Sequence, residues 1–237
     1  MEEKIKKLKT EIDLLLSGVG QKIRNIKSKS NRASGGIKRQ TKGDLVENIY
    51  SKIIKFSINE TKSKYTLINK IGALPEKIEK IPRLQVSQKY VDLKKLKFTK
   101  KESKKGYEDK YDGFIIGENK IKMVLEYKAY AELTMLKRCI VDAAIAQNFD
   151  KKIKYCLCLL QSQITSVDKD AGLKHISYSA HSLMNYLNDK LNTNVDILIL
   201  TNEPRKVNED IIEKKYKVDY RKLEDAVNYF IDFALLS

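Results

Sequence analysis

Cysteine, proline and histidine are scarce in this 237-residue chain, with three, three and two residues, and tryptophan is absent. The three cysteines, Cys139, Cys156 and Cys158, are odd in number and sit inside apolar segments. That excludes a disulfide framework and predicts buried, reduced thiols. Cys156 and Cys158 share one strand face and His175 and His181 follow, but the spacing fits none of the usual zinc patterns, so the pair reads as core. Long apolar runs are missing too, which predicts no membrane span. The segment MEEKIKKLKTEIDLLL is charged throughout and has no uninterrupted apolar stretch or small-residue cleavage site. It reads as neither signal peptide nor anchor, and a cytoplasmic location is expected. No internal repeat is visible. The 13 tyrosines form no interleaved aromatic–basic platform of the kind used on single strands.

What the chain does have is charge: 47 Lys and Arg against 31 Asp and Glu, a formal net charge of +16. Such a field attracts polyanions. The abundance of Lys, Ile and Asn is also what an AT-rich genome produces, so charge alone leaves nucleic-acid binding open. A hydrophobic fraction of 42% over this length suits one globular domain with a modest extension.

Ile5, Leu8, Ile12 and Leu15 alternate spacings of three and four, predicting a helix over 3–16 that Gly18 and Gly20 interrupt. Residues 27–43, basic and rich in Gly and Ser, read as a loop. Its Gly35–Gly36 pair allows close backbone approach, and Lys38, Arg39 and Lys42 suit a phosphate backbone. A second helix is expected from Asp44 as N-cap, with Glu47 in the capping-box position. Residues 58–110 resist assignment: Pro75 and Pro82 break them, and KFTKKESKKGYEDK reads as a solvated charge run. From residue 111 the pattern sharpens. Two strands, 111–117 and 121–129, form a hairpin with Gly117–Lys120 at its tip. A helix over 131–149, a buried strand over 153–161, a helix within 172–191, a strand over 195–201 and a final helix over 221–236 follow. The expected fold is α/β, with a mixed central sheet flanked by helices and an N-terminal helical extension.

Alternation along a strand places Glu126 and Lys128 on one face. Closing the hairpin brings Asp112 beside them. Two carboxylates and an ammonium then share a small volume, and the carboxylates repel unless a cation joins them. Mg²⁺ takes one or two carboxylates plus water and substrate phosphate. A lysine beside it stabilises developing negative charge or positions the attacking water. Glu-x-Lys as a bare pattern carries little, since it recurs at Glu2, Glu60, Glu102, Glu108, Glu118 and Glu213. Only the Glu126 copy lies in an apolar strand, after Met123-Val124-Leu125, with an Asp-Gly on the preceding strand. The alternative is a solvated hairpin with a cross-strand ion pair.

Residues 111–128, YDGFIIGENKIKMVLEYK, resemble the core motif of the PD-(D/E)XK nuclease superfamily, and the order of elements through 131–161 matches. Tyr111 stands where the name-giving pattern has proline. The resemblance implies a restriction-endonuclease-like core and Mg²⁺-dependent cleavage leaving 5′-phosphate and 3′-hydroxyl ends. It places Asp112 and Glu126 as metal ligands, with Lys128 beside the attacking water. Glu47 matches the glutamate that many members add from an upstream helix. Residues 1–43 are then a helix and basic loop for dimer or DNA contact, and 44–237 the nuclease domain. The expected partner is double-stranded DNA, and the expected activity that of a sequence-specific type II restriction endonuclease working as a homodimer. A structure-specific repair or recombination nuclease and a non-catalytic nucleic-acid-binding protein are the alternatives.

Overall fold

The computed structural model describes residues 1–25, 32–69, 74–81, 89–92, 97–100, 111–162, 165–167, 174–176, 182, 185–186, 189–201 and 217–236. At its centre lies a five-stranded sheet in the order β1-β4-β5-β6-β9, built from β1 (Thr66–Asn69), β4 (Gly113–Gly117), β5 (Lys120–Ala131), β6 (Lys154–Ser162) and β9 (Asp196–Ile199). β1, β4 and β5 pair antiparallel, whereas β5, β6 and β9 run parallel. The sheet is therefore mixed, as expected. Two small antiparallel pairs lie outside it: β2 (Lys89–Asp92) with β3 (Lys97–Lys100), and β7 (Thr165–Val167) with β8 (Lys174–Ile176). β3 gives residues 97–100, which the sequence left without an assigned element, a strand.

Helices cover both faces. α3 (Leu133–Phe149) is the crossover between parallel β5 and β6. Its residues Leu136, Cys139, Ile140, Ala143 and Ala146 are buried in one core with Phe114, Val124, Tyr155, Leu157 and Leu159. On the opposite face, α1 (Glu2–Asn25), α2 (Arg32–Thr61) and α4 (Tyr220–Leu236) share a second core with Ile115, Met123, Leu125, Tyr127, Cys156 and Cys158. Strand alternation produces this division: odd positions of β5 from 123 to 127 face α2, and Val124 faces α3. All three cysteines are free and buried.

The N-terminal third departs from the sequence expectation in two ways. α1 does not stop at Gly18 but continues to Asn25. A Cβ at Gly18 would meet nothing within 4 Å, so that glycine answers no packing need, and a helix tolerates it at a cost of about 1 kcal/mol. The loop expected over 27–43 is also overturned for residues 32–43, which belong to α2. Asp44 thus lies inside a helix instead of capping one, and Glu47 is not a capping-box residue. The physical reason is the half of α2 that follows. Leu45, Val46, Ile49, Tyr50, Ile53 and Ile54 are at most 2% exposed, and a helix already anchored by such burial extends without a second nucleation cost, which offsets part of what its glycines lose. The Tyr50 hydroxyl donates to the carbonyls of Leu159 (2.8 Å) and Leu198 (3.0 Å), tying α2 to β6 and β9.

Ile5, Leu8, Ile12 and Leu16 of α1 are part of the main core. The Val218 N–H donates to Asp13 Oδ1 at 3.0 Å, joining α1 to the segment that enters α4. In α4, Leu223, Val227, Phe230 and Phe233 are buried. Of the helix expected within 172–191, residues 182, 185–186 and 189–191 are described and helical, with Tyr186 and Leu191 exposed. Among the described residues, no helix is long and apolar enough to cross a membrane.

Candidate active site

The site grows from the β4–β5 hairpin. Glu118 and Asn119 both take positive φ, 53° and 59°, which is the two-residue turn whose twist suits adjoining antiparallel strands. Gly117 before the turn has no room for a side chain, because a Cβ there would run into the Tyr65 ring. The register then sets Gly113 opposite Leu125, which brings Asp112 alongside Glu126, one step beyond the last pair.

Asp112, Glu126 and Lys128 converge. Lys128 Nζ lies 2.9 Å from Asp112 Oδ2 and 2.5 Å from Glu126 Oε1. The Tyr127 N–H donates to the same Asp112 Oδ2 at 2.8 Å. The three side chains differ in exposure: Asp112 34%, Lys128 28% and Glu126 6%. Glu126 is thus the carboxylate that has left water. Burial pushes its pKa up to about 7; Lys128 pulls it down, and Asp112 adds to the rise. For Lys128, burial alone would lower the pKa, but the Glu126 and Asp112 carboxylates outweigh it and raise the value. The ammonium is therefore charged at neutral pH, and Glu126 is poised between its two forms. Here desolvation beats a short ion pair, as it does wherever the pair does not fully replace lost hydration.

A cavity of about 420 Å³ opens beside this cluster, lined by Asp112, Tyr127, Lys128, Ala129, Tyr130 and Met135 on one side. The other wall is α2, with Gln40, Lys42, Gly43, Asp44 and Glu47. Glu47 therefore shares a cavity with Asp112 and Lys128. It does not join the two carboxylates in one cluster: among the described residues, no three His, Cys, Asp or Glu side chains stand close enough to hold a metal together. Lys42 lines the cavity. Lys38 and Arg39 fall on α2, but their side chains lie outside the described residues. His181 also lies outside them.

The carboxylates of Asp112 and Glu126 form a hard oxygen donor set, and among the described residues no group of three His, Cys, Asp or Glu side chains offers a softer one. That set suits Mg²⁺, which keeps several waters and needs few protein ligands. The raised pKa of Glu126 fits the same role, since burial disfavours its bare charge and a cation beside it would offset that cost. Thiol chemistry is unsuited here: burial pushes Cys139, in the α3-side core, up to about 12.

Some supporting residues escaped the sequence reading. The Tyr127 hydroxyl donates to Asn69 Oδ1 at 3.3 Å, and Asn69 Nδ2 donates to Ser51 Oγ at 2.7 Å. This chain joins β5 to β1 and α2 against Gly113, the residue after Asp112. A Cβ at Gly113 would lie 3.1 Å from the Tyr127 hydroxyl and 3.2 Å from Asn69 Oδ1. The sequence held half of the signal, in the glycine that follows Asp112. The pairing of Tyr127 with Asn69, 58 residues apart, is visible only once the sheet is formed.

No protein-family model matches the chain, and no solved structure matches it significantly. The chain is similar to the protein named Type II restriction enzyme DdeI, from Desulfomicrobium norvegicum. The two are 28% identical over 211 residues, which covers 84% of this chain and 82% of that protein.

Proposed function

We propose that this protein is a Mg²⁺-dependent endonuclease of double-stranded DNA, of the PD-(D/E)XK type, acting as a sequence-specific type II restriction endonuclease. One observation carries the reading. Asp112, Glu126 and Lys128 meet within hydrogen-bonding distance where a hairpin opens into a cavity, and one carboxylate is buried at the edge of ionisation. A merely structural ion pair gains nothing from burying a second carboxylate against the first. Similarity to a type II restriction enzyme over 82% of that protein's length supports the same class of activity.

In this reading Asp112 and Glu126 hold the cation, which when bound polarises the phosphate and acidifies a water. Lys128, charged and held by both carboxylates, stands ready to stabilise negative charge developing on the phosphate. Its raised pKa makes it a charge stabiliser and not a proton acceptor. The Tyr127 backbone N–H donates to Asp112 Oδ2 and helps to hold the carboxylate in place. Glu47, which lines the cavity from α2, would orient a water there once the cation is bound. Lys38, Arg39 and Lys42 carry phosphates of the strand. Cutting both strands of a palindrome calls for two sites related by a two-fold axis, hence a homodimer.

The test is plasmid cleavage by the purified protein with Mg²⁺ or EDTA, beside Glu126→Ala and Lys128→Ala. Discrete bands that require Mg²⁺ and vanish in both variants are expected. Intact plasmid under every condition, or cleavage that persists in the variants, refutes the assignment.

A further inference from the structure

The wall of the cavity opposite Asp112 and Lys128 has a pattern of its own. Gln40, Gly43, Asp44 and Glu47 all line it, at spacings of three, four and seven. These positions share one face of a helix. The opposite face of the same stretch, Leu45, Val46, Ile49 and Tyr50, is buried in the core. This face is open at three positions: Gln40 and Asp44 are exposed, and a Cβ at Gly43 would meet nothing within 4 Å.

The charge on this face is the informative part. The chain carries +16 overall, yet the α2 wall brings two carboxylates, Asp44 and Glu47, against one lysine, Lys42. Away from a bound cation, a surface that lies along phosphates is not served by Asp44, because the two repel. A surface that meets base edges has use for it: a carboxylate accepts from the amino group of cytosine, and a glutamine amide pairs with both adenine groups in the major groove. From Glu47 back to Gln40 the helix rises about 10 Å, or roughly three base steps at about 3.4 Å each.

We infer that the α2 face Gln40–Gly43–Asp44 is the base-reading surface of the nuclease, with Gln40 recognising an adenine and Asp44 a cytosine next to the scissile phosphate. Gly43 leaves the room that lets the helix approach the groove. Lys42, beside this face, takes a phosphate and carries no sequence information. The inference rests on the nuclease reading above and deepens it.

The experiment is digestion of a library of randomised linear duplexes with Mg²⁺, followed by sequencing of the cut ends, for the wild type, Gln40→Ala and Asp44→Asn. Both side chains are exposed, so the variants should fold, and their melting curves check this. Gln40→Ala should lose roughly 10- to 100-fold of discrimination at a single A·T pair about three steps from the cut. Asp44→Asn should lose it at a C·G pair nearer the cut. Wild-type specificity in both variants overturns the inference, as does an equal loss of rate at every sequence. Wild-type cleavage without any sequence preference overturns it while leaving the nuclease intact. A wild type that cuts no duplex removes both readings together.

Discussion

Replacing Glu126 by glutamine should make the metal-free protein more stable at neutral pH, and by an amount that grows with pH. The glutamate stands at about 7 against an ordinary value of 4.5. A group whose folded pKa is raised binds its proton more tightly in the folded state. Between about pH 4.5 and 7 the folded chain therefore holds a proton that the unfolded chain has released, and stability falls as pH rises. The contribution is fully present below 4.5 and lost once pH passes 7. At about 1.4 kcal/mol per unit, the shift amounts to roughly 3 kcal/mol. Glutamine cannot ionise and is indifferent to this range. Urea unfolding of both proteins in EDTA, from pH 5 to 8.5, isolates the effect as a difference, because all other groups are common to both. The gap should open in favour of Glu126→Gln and flatten above pH 8. Saturating Mg²⁺ should close it by stabilising the wild type alone, by about 3 kcal/mol at a hundredfold excess over Kd. A gap independent of pH, or one favouring the wild type as pH rises, would mean that the Lys128 pair outweighs burial and that the reasoning is wrong.

Other substitutions probe the frame around the site. Gly113→Ala pushes a methyl to within 3.1–3.3 Å of Tyr127 and Asn69; it should cost about 1–3 kcal/mol by overpacking, read from chemical denaturation. Tyr50→Phe removes donation to the Leu159 and Leu198 carbonyls and should lose about 1–2 kcal/mol in the same assay. Ile12→Ala, at a fully buried position of α1, should cost about 2–5 kcal/mol; a loss below about 0.5 kcal/mol would mean that α1 is a loose appendage and not part of the core.

The C-terminal half was legible in the sequence because its signals are local. Strand alternation over Met123–Tyr127, the Asp-Gly before it and the apolar runs of β6 and β9 are each readable within a few residues, and they fix where Asp112, Glu126 and Lys128 meet. The first half of α2 was misread because Ser34, Gly35 and Gly36 are poor helix formers; what holds that stretch helical is burial of Leu45 to Ile54 further along. The same error hid the cavity wall. Once Asp44 is taken as a cap, the shared face of Gln40, Gly43, Asp44 and Glu47 cannot be seen. The buried state of Glu126 and the Ser51–Asn69–Tyr127 chain depend on contacts between distant segments, which no local pattern encodes.

The most direct test of the central claim is single-turnover cleavage of a duplex containing one cut site, with Mg²⁺ varied, for the wild type, Asp112→Asn, Glu126→Gln and Lys128→Ala. The geometry predicts that each variant slows cleavage at saturating Mg²⁺ by at least about a hundredfold. The two carboxylate variants should also need more Mg²⁺ to reach half their own maximum, whereas Lys128→Ala should not. Wild-type rates in Asp112→Asn and Glu126→Gln would contradict the account, because the two carboxylates would then be a structural pair and the chemistry would lie elsewhere.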